Sequence, residues 1–338
     1  MIKKNLPLAS FTTFHIGGPA HSFIEVFSEK DVQEASSYAR SNKLKLFPLG
    51  GGSNILVPDA GVDGVVVRIA LSGIEFSDQD DSTVLIAGAG VPWEEVVEAA
   101  LARDLFGIEN LAGIPGTVGG ATVQNIGAYG VELEKVFEYA DVIDATNGEP
   151  KRITRNEAKF GYRTSYFKER RELILTRVAL RLTKDGMPHL TYPDLLKASA
   201  SGKSLKTPQE IAQIVRSIRA EKFPQRGELG TAGSFFKNPI LSKELVLSLE
   251  KRFPGLPVFP QSNGSVKISL AWVLDHVLSL KGFSIGGAEL YKKHSLVLVA
   301  EEGTTAAEVD TLARAIENKI FDALGIKIER EVETFGAR

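Results

Sequence analysis

The chain has 338 residues, 43% hydrophobic and 24% charged, with a formal net charge of −2. That length accommodates two or three domains, and near-neutrality gives no field to gather nucleic acid. Cysteine is absent, which excludes disulfides, thiolate metal sites, a cysteine nucleophile and cysteinyl attachment of a cofactor.

Lys3 and Lys4 are followed by Asn5-Leu6-Pro7 rather than an apolar run, so nothing there reads as a targeting segment. Residues 20–27 alternate as a strand. Residues 30–41 form a helix with Ser28 as N-cap before Asp31, and 44–49 form a second strand. Leu49-Gly50-Gly51-Gly52-Ser53-Asn54 closes that strand, and short strands follow at 54–57 and 64–69. This β-α-β opening sets a glycine loop at a strand terminus, where α/β proteins bind ligands. A strand at 83–87 leads through Gly88-Ala89-Gly90-Val91-Pro92-Trp93 into a helix reaching about 103. Its GxG is not a dinucleotide fingerprint, because Trp93 stands where the third small residue belongs. Pro92 is expected at the first helical position.

Residues 107–130, GIENLAGIPGTVGGATVQNIGAYG, pack glycines and one proline among few charges. Glycine permits positive φ and close approach of a ligand to backbone, and consecutive exposed N–H groups form an anion-binding concavity. Tight turns account for either glycine cluster alone. Together the two point to a large phosphate-bearing cofactor.

Strands are expected at 136–144 and 173–182, with a turn at Asn147-Gly148. Between them lies Phe160-Gly161-Tyr162-Arg163-Thr164-Ser165-Tyr166-Phe167-Lys168. An arginine there suits a carboxylate or phosphate, or else stacks on Tyr162 at the surface. The Ser-, Pro-, Gly- and Lys-rich stretch 184–206 precedes an amphipathic helix at 208–222, with Thr207 as N-cap and Glu210 completing a capping box. A domain boundary is placed near its start. Ser234, in Gly233-Ser234-Phe235-Phe236-Lys237-Asn238-Pro239, lacks a GxSxG elbow and reads by itself as a turn or capping serine. Helices are expected at 242–252, 269–280 and 305–324, and strands at 264–267 and 296–300. The apolar run 268–280 is interrupted by Asp275 and His276 and is too short and polar to cross a bilayer. In the last segment Glu329, Glu331 and Glu333 share one face if the chain is a strand. The five histidines show no metal-ligand spacing, and no metal is expected.

These segments together resemble the UDP-N-acetylenolpyruvoylglucosamine reductases, flavoenzymes that make UDP-N-acetylmuramate for bacterial peptidoglycan. The markers are PLGGGSN, GAGVPW, AGIPGTVGGA followed by QNIGAYG, FGYRTSYFK, AGSFFKNP, LKGFSIGGA and the final EREV, spread over almost the whole chain. The resemblance implies α+β architecture with α/β elements. A two-part FAD-binding region of the vanillyl-alcohol-oxidase type, 1–70 and 71–205, precedes a C-terminal α+β substrate domain, 206–329. Residues 330–338 return to the first part. Non-covalent FAD is the implied cofactor and NADPH the co-substrate.

The implied cofactor contacts are Gly50, Gly51, Gly52, Ser53 and Asn54 in the first loop. In the second they are Gly113, Pro115, Gly116, Gly119, Gly120, Asn125, Gly127, Ala128 and Tyr129. Hydride from flavin N5 would reach the methylene carbon of the enolpyruvyl ether. Arg163 and Glu331 would stabilise the resulting enolate, Glu331 only while it holds a proton, and Ser234 would protonate the adjacent carbon. Tyr192, in Tyr192-Pro193-Asp194-Leu195, matches the tyrosine loop of the longer family type. Lys222, Asn238, Lys267, Lys281 and His294 match further substrate-side positions. A cytoplasmic monomer without nucleic-acid or membrane partners is expected. Two alternatives stand beside this one. An FAD oxidase of the same superfamily needs a route to oxygen, and a non-catalytic nucleotide-binding protein has no use for Arg163, Ser234 and Glu331 together.

Overall fold

The computed structural model describes residues 1–225 and 227–336. The chain forms two compact units. The first comprises Met1–Leu6, Ala20–Gly52 and Val62–Ala220; the second comprises Pro7–Pro19, Ser53–Gly61 and Glu221–Arg338. Residues 337 and 338, at the end of the segment 330–338, lie outside the described residues.

The first unit holds two sheets. One runs Ile2–Pro7, Pro19–Val26, Val62–Ile69, Leu46–Leu49, with the last three strands parallel. The helix Glu29–Ser41 crosses over between two of these strands. Its Ser28 Oγ accepts from Asp31 N while Asp31 accepts from Ser28 N, the reciprocal cap expected of that pair. Val32, Ala35 and Ala39 form its buried stripe. The second sheet is antiparallel, in the order Pro150–Thr154, Phe137–Asp144, Leu173–Leu182, Thr83–Gly88, Ile74–Asp78. Leu173–Leu182 is central, and alternation gives way there to near-continuous burial. The helix Trp93–Leu101 buries Trp93, Val96, Val97, Ala100 and Leu101 in the same apolar cluster. Pro92 is its N-cap, at ψ 132°, not its first helical residue. The helix Pro208–Lys222 carries the expected capping box: Glu210 N donates to Thr207 Oγ1 and Thr207 N to Glu210 Oε2.

The turn at Asn147-Gly148 is stapled by a charge. Asp144, 5% exposed, accepts from Lys151 Nζ at 2.6 Å and from Thr146 Oγ1 and N at 2.5 and 3.0 Å. The lysine above all, then Thr146, lowers its pKa to about 2. A depressed carboxylate pKa stabilises the fold above the unfolded value and loses that effect as pH falls through the folded one. Because Lys151 is half exposed, the full shift overstates the effect. Asp144→Asn is expected to lower the unfolding free energy by about 1–2 kcal/mol at neutral pH. In urea titrations the gap from wild type should narrow as pH is taken from about 5 toward 3. A gap that stays constant over that range would assign the loss to packing instead.

The second unit has a four-stranded antiparallel sheet, in the order Gly230–Ser234, Val297–Ala300, Ala288–Leu290, Ser284–Ile285. A three-stranded sheet runs Ile240–Leu241, Val266–Ile268, Val258–Pro260. The long helix Ala306–Leu324 buries Val309, Leu312, Ala313, Ile316, Ile320 and Leu324. Thr305 and Glu308 cap its start, and Gly325 at φ 71° ends it in the left-handed conformation that glycine adopts without penalty.

Two expectations fail here. The helix expected at 269–280 is one turn, Leu270–Trp272, followed by a π-turn, Val273–Val277. His276 stacks on Trp272 at 4.9 Å, and its Nδ1–H donates to the Trp272 carbonyl, while Leu278 N reaches back five residues to Val273 O. The C-terminal glutamates do not lie on one regular strand. Arg330 bridges Phe236, the chain bends at 331–332, and Glu333–Thr334 pairs in parallel with Ile55–Leu56. Glu329 is therefore exposed, whereas Glu331 and Glu333 are half-buried.

Candidate active site

The two glycine clusters meet within the first unit. A Cβ on Gly50 would lie 2.7 Å from Thr117 Oγ1, and one on Gly51 would lie 2.7 Å from Gly116 Cα. Only glycine allows this approach, and Gly116 adopts φ 119° besides. The second loop is anchored from below: Trp93 N donates to Gly116 O, Val118 N to Val91 O and Gly119 N to Ala89 O, each at 2.9 Å. The GAGVPW segment is thus a floor for the loop. Thr117 Oγ1 is buried there without a hydrogen-bond partner. A buried hydroxyl left unsatisfied by the protein, beside glycine backbone that a ligand can approach closely, fits a site that takes a polar group.

Arg163 sits opposite the far end of the same loop. Gly161 and Thr164 exchange backbone hydrogen bonds at 3.0 and 3.1 Å around a two-residue turn, and Arg163 occupies it at φ 56°. A non-glycine residue in this region is strained. The turn is held by Asn125, whose Nδ2 donates to Gly161 O at 3.0 Å and whose Oδ1 accepts from Glu134 N at 3.0 Å. Arg163 Nη2 donates to Gly127 O at 2.6 Å, and Nη1 lies 4.0 Å from Glu132 Oε1. Gly127–Ala128 and Val131–Glu132 form a hairpin whose turn residues, Tyr129 and Gly130, both have positive φ, 49° and 86°. The Tyr129 ring meets Tyr192 edge-on at 5.2 Å. Burial raises the pKa of both phenols, that of Tyr129 to about 12, so both remain neutral hydroxyls at physiological pH.

In the second unit Ser234 ends the strand Gly230–Ser234, directly after Gly233 at φ 76°. The next residue, Phe235, accepts from Glu331 N at 2.8 Å, and Lys237 N donates to Glu329 O at 2.9 Å. Asn54 Nδ2 donates to Glu331 O at 3.0 Å. Glu331 is therefore fixed beside the Ser234 strand, while Glu329 turns outward to pair with Lys237 at 2.9 Å.

A family model described as FAD binding domain matches residues 20–154. One described as the C-terminal domain of UDP-N-acetylenolpyruvoylglucosamine reductase matches residues 224–335. The UDP-N-acetylenolpyruvoylglucosamine reductase of Shewanella sp. (strain ANA-3) is 40% identical across 97% of this chain and 96% of its own length. That of Escherichia coli (strain K12) is 37% identical across 98% and 96%. The chain belongs to the UDP-N-acetylenolpyruvoylglucosamine reductase family. The reductase structure from Thermus caldophilus aligns with a TM-score of 0.68 at 26% identity, covering 99% of this chain and 100% of that one. An FAD region followed by a C-terminal α+β domain is the fold class expected from the sequence.

Within this family framework, several expected contacts have intramolecular duties. Gly119 packs against Ala89, and its N–H is already bonded. Asn125 holds the Arg163 turn. Ser53 and Asn54 belong to the second unit, and Gly50, Gly51 and Gly52 to the first. Of the substrate-side residues, Asn238 Oδ1 accepts from Leu270 N at 2.9 Å, and Lys281 pairs with Asp275 at 2.9 Å. Lys267 stands between Ile240 and Phe259 in its sheet, and His294 Nδ1 accepts from Leu296 N at 3.2 Å. Lys222 closes the helix Pro208–Lys222.

Sequence reasoning passed over Arg219. Its Nε donates to Gly113 O at 3.0 Å, and burial lowers its pKa. Gly113 N in turn donates to Glu94 Oε2, whose other oxygen is held by Arg216 at 2.7 Å. The signal was in the helix stripe: Ile211 and Val215 are buried, and Arg219 is the next residue at i+4.

The fit of the loops to FAD gives a direct test. Gly51→Ala drives a Cβ into Gly116 backbone that cannot give way. The variant is expected to be destabilised by about 1–3 kcal/mol and to purify with little visible flavin absorbance. Full flavin content would show that the loops can separate at no cost to the site.

Proposed function

We propose that Arg163, Ser234 and Glu331 carry the chemistry of this family's reaction in this chain. The reaction is the NADPH-driven, FAD-dependent reduction of the enolpyruvyl ether of UDP-N-acetylglucosamine to UDP-N-acetylmuramate, a step of peptidoglycan precursor synthesis. When bound, FAD supplies to the methylene carbon the hydride drawn from NADPH. The protein's task is to stabilise the charge that appears on the substrate carboxylate and to deliver one proton to the adjacent carbon.

Arg163 offers a fixed guanidinium to the developing oxyanion, an interaction that grows toward the transition state and so accelerates the step. Its Nη2 bond to Gly127 O aims the rest of the fork. Glu331 helps at the same oxyanion only while its carboxyl holds a proton to donate. Ser234 Oγ passes its proton to carbon. A serine hydroxyl is a weak acid, so this requires a network that replaces the proton as it leaves.

The observation that best supports this reading is the backbone pairing of 235–237 with 329–331. It joins the residue after Ser234 to the backbone of Glu331, from a distant part of the sequence. Tyr192 shields the substrate, Lys222, Asn238, Lys267 and Lys281 bind its nucleotide portion, and His294 stands at another substrate-side position. The enzyme acts in the cytoplasm, as a monomer. Among the described residues no helix is long and apolar enough to cross a membrane.

The test is visible absorption under anaerobic conditions. The flavin should bleach with NADPH and regain its colour with the enolpyruvyl sugar. Colour that returns only with oxygen would replace this reading with the oxidase one.

A further inference from the structure

Arg330 lies between Glu329 and Glu331, and its side chain is tied to two carboxylates of the long helix. Its Nε donates to Glu317 Oε1 at 2.6 Å, its Nη2 to Glu317 Oε2 at 3.3 Å, and its Nη1 to Asp310 Oδ1 at 2.6 Å. Asp310 and Glu317 are seven residues apart on the helix Ala306–Leu324, so both project from one face, two turns apart. Asp310 is held in turn by Arg314 at 2.6 Å. The guanidinium also lies 5.8 Å over the Phe235 ring, and Phe235 is the residue next to Ser234. All three charged side chains are less than one-third exposed, so the network is only partly screened.

The backbone at this point is held by short pairings, with Glu333–Thr334 against Ile55–Leu56, and by the Asn54 Nδ2 bond to Glu331 O. Arg330 makes an isolated bridge with Phe236, flanked by the Glu331–Phe235 and Lys237–Glu329 bonds, before the chain bends at 331–332. Short pairings of this kind specify register weakly. A planar fork tied to two carboxylates on a rigid helix specifies position strongly.

We propose that Arg330 is a positioning residue: its clamp on Asp310 and Glu317 sets where the Glu331 carboxyl stands relative to Ser234. This rests on the catalytic roles given above to Glu331 and Ser234. It acts through Glu331 and touches neither substrate nor cofactor.

The experiment compares Arg330→Met, Arg330→Lys, Glu331→Gln and Arg330→Met/Glu331→Gln as full-length, FAD-loaded enzymes, by anaerobic stopped flow with parallel thermal unfolding. Arg330→Met should slow reoxidation by saturating enolpyruvyl sugar about tenfold to a hundredfold, the effect of a small misplacement at a reacting centre. NADPH-driven bleaching and KM for the sugar should stay within about threefold of wild type. Arg330→Lys, which keeps the charge but reaches one carboxylate at a time, should fall between, and it serves as the test if the methionine variant does not fold. In the Glu331→Gln background Arg330→Met should add little, because a residue acting through Glu331 has nothing left to act on. An Arg330→Met effect that is undiminished in that background, or that slows both half-reactions alike with the melting temperature, overturns the proposal in favour of plain stabilisation. Normal reoxidation by Glu331→Gln itself overturns the catalytic reading, and this proposal with it.

Discussion

Ser234→Ala is expected to slow reoxidation of the reduced flavin by the enolpyruvyl sugar by about 10²–10⁴-fold, the range of a lost general acid. Reduction by NADPH should remain close to wild type. The asymmetry follows from the proton inventory: only the second half-reaction delivers a proton to carbon. The structure also gives reason to expect an intact fold. Ser234 is half-buried at a strand end, and the buried Phe235 and Phe236 beside it supply the packing. Losing one hydroxyl there should change stability by no more than about 1 kcal/mol. Equal slowing of both halves would mean that Ser234 shapes a shared binding surface, and the proton would have to come from elsewhere.

How legible this was in the sequence depended on the range over which each feature is encoded. Ser28 with Asp31, and Thr207 with Glu210, announce helix starts because both partners of the cap lie within one turn. The parallel strands Pro19–Val26 and Val62–Ile69 and the glycine clusters were equally readable, since φ and alternation are local properties. The contact of Gly51 with Gly116 was not local, but two glycine runs in one chain implied a shared use. What the sequence hid was decided by side chains competing for backbone. The helix expected at 269–280 starts at Leu270, widens into a π-turn over Val273–Val277 and stops there, with His276 Nδ1 on the Trp272 carbonyl. The acidic run 329–333 looked like an alternating edge, whereas Arg330 is drawn to helix carboxylates encoded well upstream. Nothing within a few residues of Arg330 distinguishes it from a solvated charge. The family markers pointed to Arg163, but not to the strain in its backbone.

That strain underlies the second large effect. Arg163→Lys is expected to lower kcat by about 10²–10³-fold, the loss seen when one oxyanion donor is removed. KM should change much less, because the lost interaction belongs to the transition state. The turn Gly161–Thr164 asks for glycine at φ 56°, and an arginine there costs roughly 1–3 kcal/mol. One arm of the fork is fixed on Gly127 O at 2.6 Å, which leaves the remaining nitrogens aimed in a set direction. A lysine ammonium lacks the planar fork, so it cannot hold the carbonyl and present donors to an oxyanion in the guanidinium's fixed geometry. Arg163→Gly separates backbone from chemistry. Relief of strain offsets the lost charge-assisted hydrogen bond, of about 1.5–3 kcal/mol, so this variant should fold and retain flavin. It should nonetheless fail to reoxidise with the enolpyruvyl sugar, and added guanidinium ion should restore part of the rate. Near-normal turnover by the lysine variant would reduce Arg163 to a turn residue. Rescue of the glycine variant by guanidinium would show that the strained backbone exists to hold that group where charge develops.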